Sequence, residues 1–122
     1  MPDQPKVIAI VDDEQALLKA IERLLTARGF APQGFNSAEA FLDSHAAKDA
    51  ACLVLDIHLG GMSGIELLRR LNAVRSKLPV IFITAADNEA VHREAMEAGC
   101  VAFLRKPFQA HSLISAIDKA TS

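Results

Sequence analysis

The polar residues best suited to chemistry in this chain follow short apolar runs. Asp12 and Asp13 come directly after VIAIV, Asp56 after CLVL, Thr84 after VIFI, and Lys106 one residue beyond VAFL. A carboxylate at a strand end is, by itself, usually a helix N-cap or a solvated loop residue. In an open parallel sheet, however, ligands bind outside the carboxyl ends of the strands. The recurrence of this placement therefore favours one shared pocket.

The carboxylates of that pocket suit phosphoryl chemistry. An aspartate such as Asp56 can act as a nucleophile on phosphorus and form an aspartyl-phosphate. Clustered carboxylates repel one another, and a divalent cation relieves the repulsion. Mg2+ suits the site best because it takes hard oxygen ligands and binds through one or two carboxylates together with phosphate oxygens. The sequence therefore predicts a site for Mg2+ and a phosphoryl group.

Composition limits the class of protein. The chain has 122 residues, 51% of them apolar and 23% charged, which predicts one globular unit. With a net charge of −2, the chain lacks the excess of positive charge that is typical of proteins that bind nucleic acid or an anionic membrane directly. Without a membrane-length apolar run or a signal-peptide pattern, we expect a cytoplasmic protein. Cys52 and Cys100 begin apolar runs and are predicted to be buried thiols, not a disulfide.

Two periodicities alternate along the chain. Apolar runs predict strands at residues 7–11, 31–35, 52–55, 80–83 and 101–104. Amphipathic helices lie between them, with N-caps predicted at Asn36, where Glu39 would reach back, and at Ser63, where Glu66 would. Continuous apolar strands that alternate with helices indicate parallel pairing with both sheet faces covered. The predicted class is α/β, with five βα units.

The motifs IVDDE, LVLDIHLGGMSGIELL, VIFITA and AFLRKPF resemble the receiver domain of two-component response regulators, most of all receivers of the FixJ type. The resemblance covers residues 6–120. It implies a doubly wound, flavodoxin-like (βα)5 sheet with strand order 2-1-3-4-5. We expect residues 1–122 to form a single receiver domain, with no output domain in this chain. A stand-alone receiver and a domain cut from a longer regulator both stay open.

The resemblance also implies roles at the metal site. Asp56 would be the phosphoacceptor, taking its phosphoryl group from a sensor histidine kinase or a small phosphodonor. Asp13 and Asp56 would ligate Mg2+ directly, and Asp12 would act through water. The backbone carbonyl of His58 would supply a further ligand.

The resemblance also implies a second group of residues, which would change conformation when the protein is phosphorylated. Lys106 would balance the charge of a phosphoryl oxygen, and Thr84 would donate its hydroxyl to another, which draws its loop inward. Phe103, three residues before the lysine, matches the aromatic whose rotamer reports this movement. As a phenylalanine it has no hydroxyl to pair, so switching there would rest on packing.

The resemblance implies that two further positions set how long the phosphoryl group survives before hydrolysis. His58 stands two residues after Asp56, and Ala86 is its companion position. A histidine there would either orient the attacking water or shield the site, and the sequence leaves both open. The loop continues with Leu59, Gly60 and Gly61, so we expect it to be more mobile than usual. The other histidines, His45, His92 and His111, lack metal-ligand spacing and are predicted to lie on the surface.

The surface through which the protein would act on a partner is the feature that the sequence defines least well. Receivers commonly use the face formed by the helix at 88–98, the strand at 101–104 and the last helix. That face would bind a downstream protein target or output domain, or form a phosphorylation-dependent homodimer. Val91 and Ala95 lie four residues apart on one helix face. They would either contact a partner there or pack inward.

Two other classes of function stay open at this point. A phosphohydrolase of the haloacid dehalogenase class also uses an aspartyl-phosphate, but it needs a second aspartate where this chain has His58. A phosphorylation-independent interaction module would keep only the fold, and the full set of polar residues argues against it. A receiver is a signalling protein that catalyses its own phosphoryl transfer and dephosphorylation, and is not a conventional enzyme.

Overall fold

A five-stranded parallel sheet forms the centre of the computed structural model, which describes residues 4–85 and 88–122. In chain order the strands are β1 (Val7–Val11), β2 (Ala31–Phe35), β3 (Cys52–Asp56), β4 (Val80–Thr84) and β5 (Ala102–Arg105). The helices are α1 (Gln15–Ala27), α2 (Ala38–Ser44), α3 (Gly64–Ala73), α4 (Glu89–Glu97) and α5 (Ala110–Thr121), with a short 3-10 helix at Ala46–Lys48. The strand order is β2-β1-β3-β4-β5, which confirms the predicted fold class and topology.

The sheet is covered on both faces. One apolar layer joins alternate strand residues such as Val11, Leu55 and Phe82 to α2, α3 and α4. The other joins the intervening residues, such as Ile10 and Ile83, to α1 and α5. Every residue of β3 and β4 is buried, which explains why these strands are continuous apolar runs in the sequence.

Several boundaries differ from the predicted ones. The first turn of α2 is capped by Ser37, whose hydroxyl accepts from the Ala40 N–H at 3.0 Å, so Asn36 is not the cap. Strand β5 begins one residue later than predicted, and Val101 is 55% exposed. Strands β3 and β4 each extend one residue further, to Asp56 and Thr84. Asp56 and Thr84 are thus the last residues of their strands.

The remaining side-chain predictions concern cysteines and helix α4. Cys52 and Cys100 are buried and free, as predicted, and burial raises the pKa of the Cys52 thiol to about 12. Ala95 is fully buried and Val91 packs against the same apolar layer, so both side chains face inward. Of the two interpretations of this pair, the inward one is confirmed. In residues 4–85 and 88–122, no helix has both the length and the apolarity needed to cross a membrane.

Candidate functional site

The acidic pair stands at the end of β1, where the two side chains have different surroundings. Asp12 is fully buried, while Asp13 is exposed. The Glu14 N–H donates to Asp12 Oδ1 at 2.8 Å, and the Gly60 N–H donates to Asp13 Oδ2 at 3.3 Å. Strand β1 is an interior strand, paired with β2 and β3, so its end fixes the position of both carboxylates. Each is further oriented by a backbone donor.

Asp56 ends the neighbouring strand β3 and joins the pair. Its side chain is buried, and the His58 N–H donates to Oδ1 at 3.2 Å. Carboxylate oxygens of Asp12, Asp13 and Asp56 all lie within 4.8 Å of one another. Three hard oxygen donors in this space form a cluster that could hold a metal ion, and the donor set suits Mg2+.

Lys106 brings a positive charge to this cluster from the end of β5. Its Nζ lies 2.9 Å from Asp12 Oδ2 and 3.3 Å from Asp56 Oδ2. The Lys106 N–H donates to the Thr84 carbonyl at 2.8 Å, and the Lys106–Pro107 peptide bond is cis. One lysine therefore bridges two buried carboxylates that come from different strands.

The pKa values of the site follow from burial and charge together. Burial raises the pKa of Asp56; Lys106 opposes this rise, and the nearby charge of Asp12 adds to it. For Lys106, burial disfavours the charged form, but the hydrogen bond to Asp12 and the charges of Asp56 and Asp12 outweigh it and raise its pKa. The charge of Lys106 therefore does not fully offset the burial of Asp56 and its repulsion by Asp12. Further positive charge, such as a cation, would stabilise the carboxylates.

The predicted switch residues lie on β4 and β5. Thr84 is fully buried at the end of β4, and Ala85 after it is exposed. Ala86 lies outside the described residues. Phe103 is half-buried on β5, and its ring meets that of His92 edge to face, with centroids 4.6 Å apart and an interplanar angle of 72°. His92, His45 and His111 are exposed, as predicted, but the contact between His92 and Phe103 was not predicted from the sequence.

A second contact not predicted from sequence involves Glu39 in the first turn of α2. Because the cap is Ser37, Glu39 is the second helical residue, and its Oε2 accepts from the Met62 N–H at 3.1 Å. Its own backbone N–H and that of Met62 lower the pKa of Glu39. Glu39 was predicted to contact the N-cap of its own helix, but its side chain contacts the loop after β3 instead. Glu66, in the corresponding turn of α3, pairs with Arg70 at 3.5 Å.

A doubly wound sheet with an acidic cluster and a lysine at its carboxyl edge defines the receiver class of signalling proteins. Residues 8–118 match the family model described as the response regulator receiver domain, and the chain belongs to this family. This membership favours the receiver over the phosphohydrolase considered above.

Individual relatives agree with the family match. The chain is 40% identical to the transcriptional regulatory protein FixJ of Rhizobium meliloti (strain 1021), over 93% of this chain and 56% of that protein. It is 37% identical to the response regulator protein TmoT of Ectopseudomonas mendocina, over 98% of this chain and 54% of that protein. The chain therefore spans about half the length of these curated relatives. The crystal structure of FixJ-N superimposes with a TM-score of 0.87 and 41% identity, covering 99% of this chain and 95% of the other.

Proposed function

We propose that this chain is a phosphorylation-dependent receiver in which Asp56 accepts a phosphoryl group in a Mg2+-dependent reaction. Receiver domains of response regulators work with histidine kinases and output domains, and we propose a sensor histidine kinase or a small phosphodonor as the source. The observation that carries the proposal is the meeting of Asp56 with Asp12, Asp13 and Lys106 at the strand ends. We place this reaction in the cytoplasm.

The chemistry begins at the Asp56 carboxylate. One of its oxygens forms a bond to phosphorus while the bond from phosphorus to the donor breaks, to a histidine nitrogen of the kinase or to the carboxyl oxygen of acetyl phosphate. The leaving group departs with the electron pair of the broken bond. Lys106 stands within 3.3 Å of Asp56 Oδ2, so its ammonium can follow the negative charge onto the phosphoryl oxygens.

The acidic cluster is the proposed metal site. Asp13 and Asp56 would hold Mg2+ directly, Asp12 would act through water, and the His58 carbonyl would complete the protein ligands. When bound, the cation would neutralise charge on the carboxylates and on the phosphoryl oxygens. Asp12 and Asp56 are buried and Asp13 is exposed, so the cluster is open to solvent on the Asp13 side.

We further propose that phosphorylation is read through Thr84 and Phe103. The Thr84 hydroxyl would donate to a phosphoryl oxygen, and Phe103 would change its packing in response. The contact between Phe103 and His92 joins β5 to α4, so this change would reach the face formed by α4, β5 and α5. That face would bind a downstream protein target or output domain, or a second copy of the chain.

The acceptor can be tested with acetyl phosphate and Mg2+. Wild-type protein is expected to gain the mass of one phosphoryl group, and Asp56→Asn is expected to gain none, because an amide is a poor nucleophile. Asp43→Asn, a matched change at an exposed aspartate of α2, is expected to behave as wild type. Beryllofluoride should likewise shift the NMR spectrum of the wild type but not of Asp56→Asn. No modification of the wild type by either reagent would contradict the proposal and favour a phosphorylation-independent interaction module.

The lifetime of the phosphoryl group is expected to depend on His58. Its side chain is exposed, and its backbone N–H donates to Asp56 Oδ1 at 3.2 Å, so its imidazole is attached close to the acceptor and would lie near an attacking water. We expect His58→Ala to change the decay rate of phosphorylated protein by about threefold or more. Slower decay would show that His58 orients water, and faster decay that it shields the site. His111→Ala, at an exposed position of α5, is the control, and an unaltered decay rate in His58→Ala would refute the role.

A further inference from the structure

We propose that Glu39 is a positioning residue that holds the loop between β3 and α3, residues 57–63, in the shape that cation and phosphoryl binding require. The functional consequence rests on the receiver function proposed above, whereas the restraint on the loop does not. Glu39 comes from α2, so this restraint joins two segments that are 23 residues apart in the chain.

The first observation is a direct hydrogen bond to the loop. The Met62 N–H donates to Glu39 Oε2 at 3.1 Å, and a carboxylate acceptor makes this a charge-assisted bond. The Met62 side chain packs against the core layer below, as does that of Leu59. The side chains of Leu59 and Met62 thus hold the loop to the core, and the Glu39 carboxylate restrains the loop backbone at Met62.

The second observation is steric and concerns Gly61. Its φ is +95°, in the left-handed region that favours glycine, and a Cβ placed there would lie 2.9 Å from Glu39 Oε2. The carboxylate thus lies directly against the loop backbone, at a point where a side chain would collide with it. Residues 57–63 contain no proline, so no ring fixes φ in this segment, and contacts of this kind restrain it instead.

The third observation connects this loop to the acidic cluster. The Gly60 N–H, two residues before Met62, donates to Asp13 Oδ2 at 3.3 Å. At the other end of the same segment, the His58 N–H donates to Asp56 Oδ1 at 3.2 Å. Two carboxylates of the cluster are therefore oriented by donors on this loop. If the loop lost its tie to Glu39, both donors would be held less firmly, and the cluster would be less well ordered for a cation.

The test starts from the isotopically labelled chain without metal and without phosphorylation. We expect Glu39→Ala to speed hydrogen exchange of the Met62 amide by about three- to tenfold, because an exposed charge-assisted bond is lost. A Mg2+ titration followed by NMR should then show affinity weakened by about two- to fivefold. Asp43→Ala, which removes an exposed acid from the same helix α2, should match wild type in both measurements.

Glu39→Gln separates positioning from charge, because its amide oxygen can still accept the Met62 N–H. We expect this variant to keep most of the Met62 protection and most of the Mg2+ affinity. Unchanged Met62 exchange in Glu39→Ala would overturn the proposal. So would a Glu39→Gln variant that protects Met62 yet binds Mg2+ as weakly as Glu39→Ala, since the carboxylate would then act only through its charge. Failure of acetyl phosphate to modify the wild type would instead contradict the receiver function and leave the Met62 result intact.

Discussion

Replacing Lys106 by methionine is expected to destabilise the metal-free protein by about 3 kcal/mol, because it leaves buried carboxylates without their counter-charge. Asp12 is fully buried and Asp56 nearly so, and Lys106 is the ammonium that reaches both, at 2.9 and 3.3 Å. Methionine keeps most of the length and apolar contact of the lysine stem, so the lost charge is the main change. For a domain of this size the melting temperature should fall by roughly 10 °C.

The same variant should respond more strongly to Mg2+ than the wild type. A cation that binds only the folded protein stabilises it by mass action, and here it would also relieve the carboxylate repulsion that the lysine no longer offsets. Thermal melts of Lys106→Met with chelator and with Mg2+ measure this effect. Lys19→Met, at an exposed position of α1, is the control and should be nearly neutral. A Lys106→Met protein as stable as wild type in the presence of chelator would contradict the prediction.

The electrostatics of the site explain why a second change should compensate for the loss of Lys106. Burial raises the pKa of Asp56, so keeping this group ionised at neutral pH costs folding free energy, and that cost grows once the lysine is gone. In Lys106→Met, replacing Asp56 by asparagine removes one of the repelling charges, so the double variant should recover part of the lost stability. Additive losses would instead indicate that the ion pair contributes little to the cost.

The fold and the meeting of the polar residues were both predictable from the sequence, for a physical reason. Parallel strands separated by helices bring all their carboxyl ends to one edge, so a polar residue that ends an apolar run must lie there. Asp12, Asp56 and Thr84 each end or directly follow such a run, and each is buried at that edge. Their juxtaposition follows from topology and does not depend on the detail of any side chain.

The contacts of Glu39 and His92 could not be predicted in the same way. Each joins a helix to a segment distant in the chain, and the contact depends on how the helix is rotated against the sheet. A shift of one residue in the cap, from Asn36 to Ser37, decides whether Glu39 reaches back to its own helix or across to Met62. Periodicity locates helix ends only to within one or two residues, which is too coarse to fix such a contact.

Gly64, the first residue of α3, is the glycine at which an added Cβ would make the closest contact. A Cβ on Gly64 would lie 2.4 Å from the Asp56 carbonyl oxygen and 3.0 Å from Ile57 Cα, and both of these are backbone atoms. Helix propensity alone would favour alanine over glycine by up to about 1 kcal/mol. A clash with backbone cannot be relieved by turning a side chain, so either α3 or the end of β3 must move. We expect Gly64→Ala to destabilise the protein by about 2 to 3 kcal/mol.

The movement that relieves this clash would also disturb the acceptor, because the backbone atoms that the new Cβ meets belong to Asp56 and Ile57. Urea unfolding should show the lower stability, and uptake of phosphoryl from acetyl phosphate should be slower by about tenfold in the folded protein. Gly60→Ala is a matched control four residues earlier in the chain, since a Cβ there meets nothing within 4 Å. It should leave stability nearly unchanged. A Gly64→Ala protein with wild-type stability and uptake would mean that the start of α3 is not packed tightly against the end of β3.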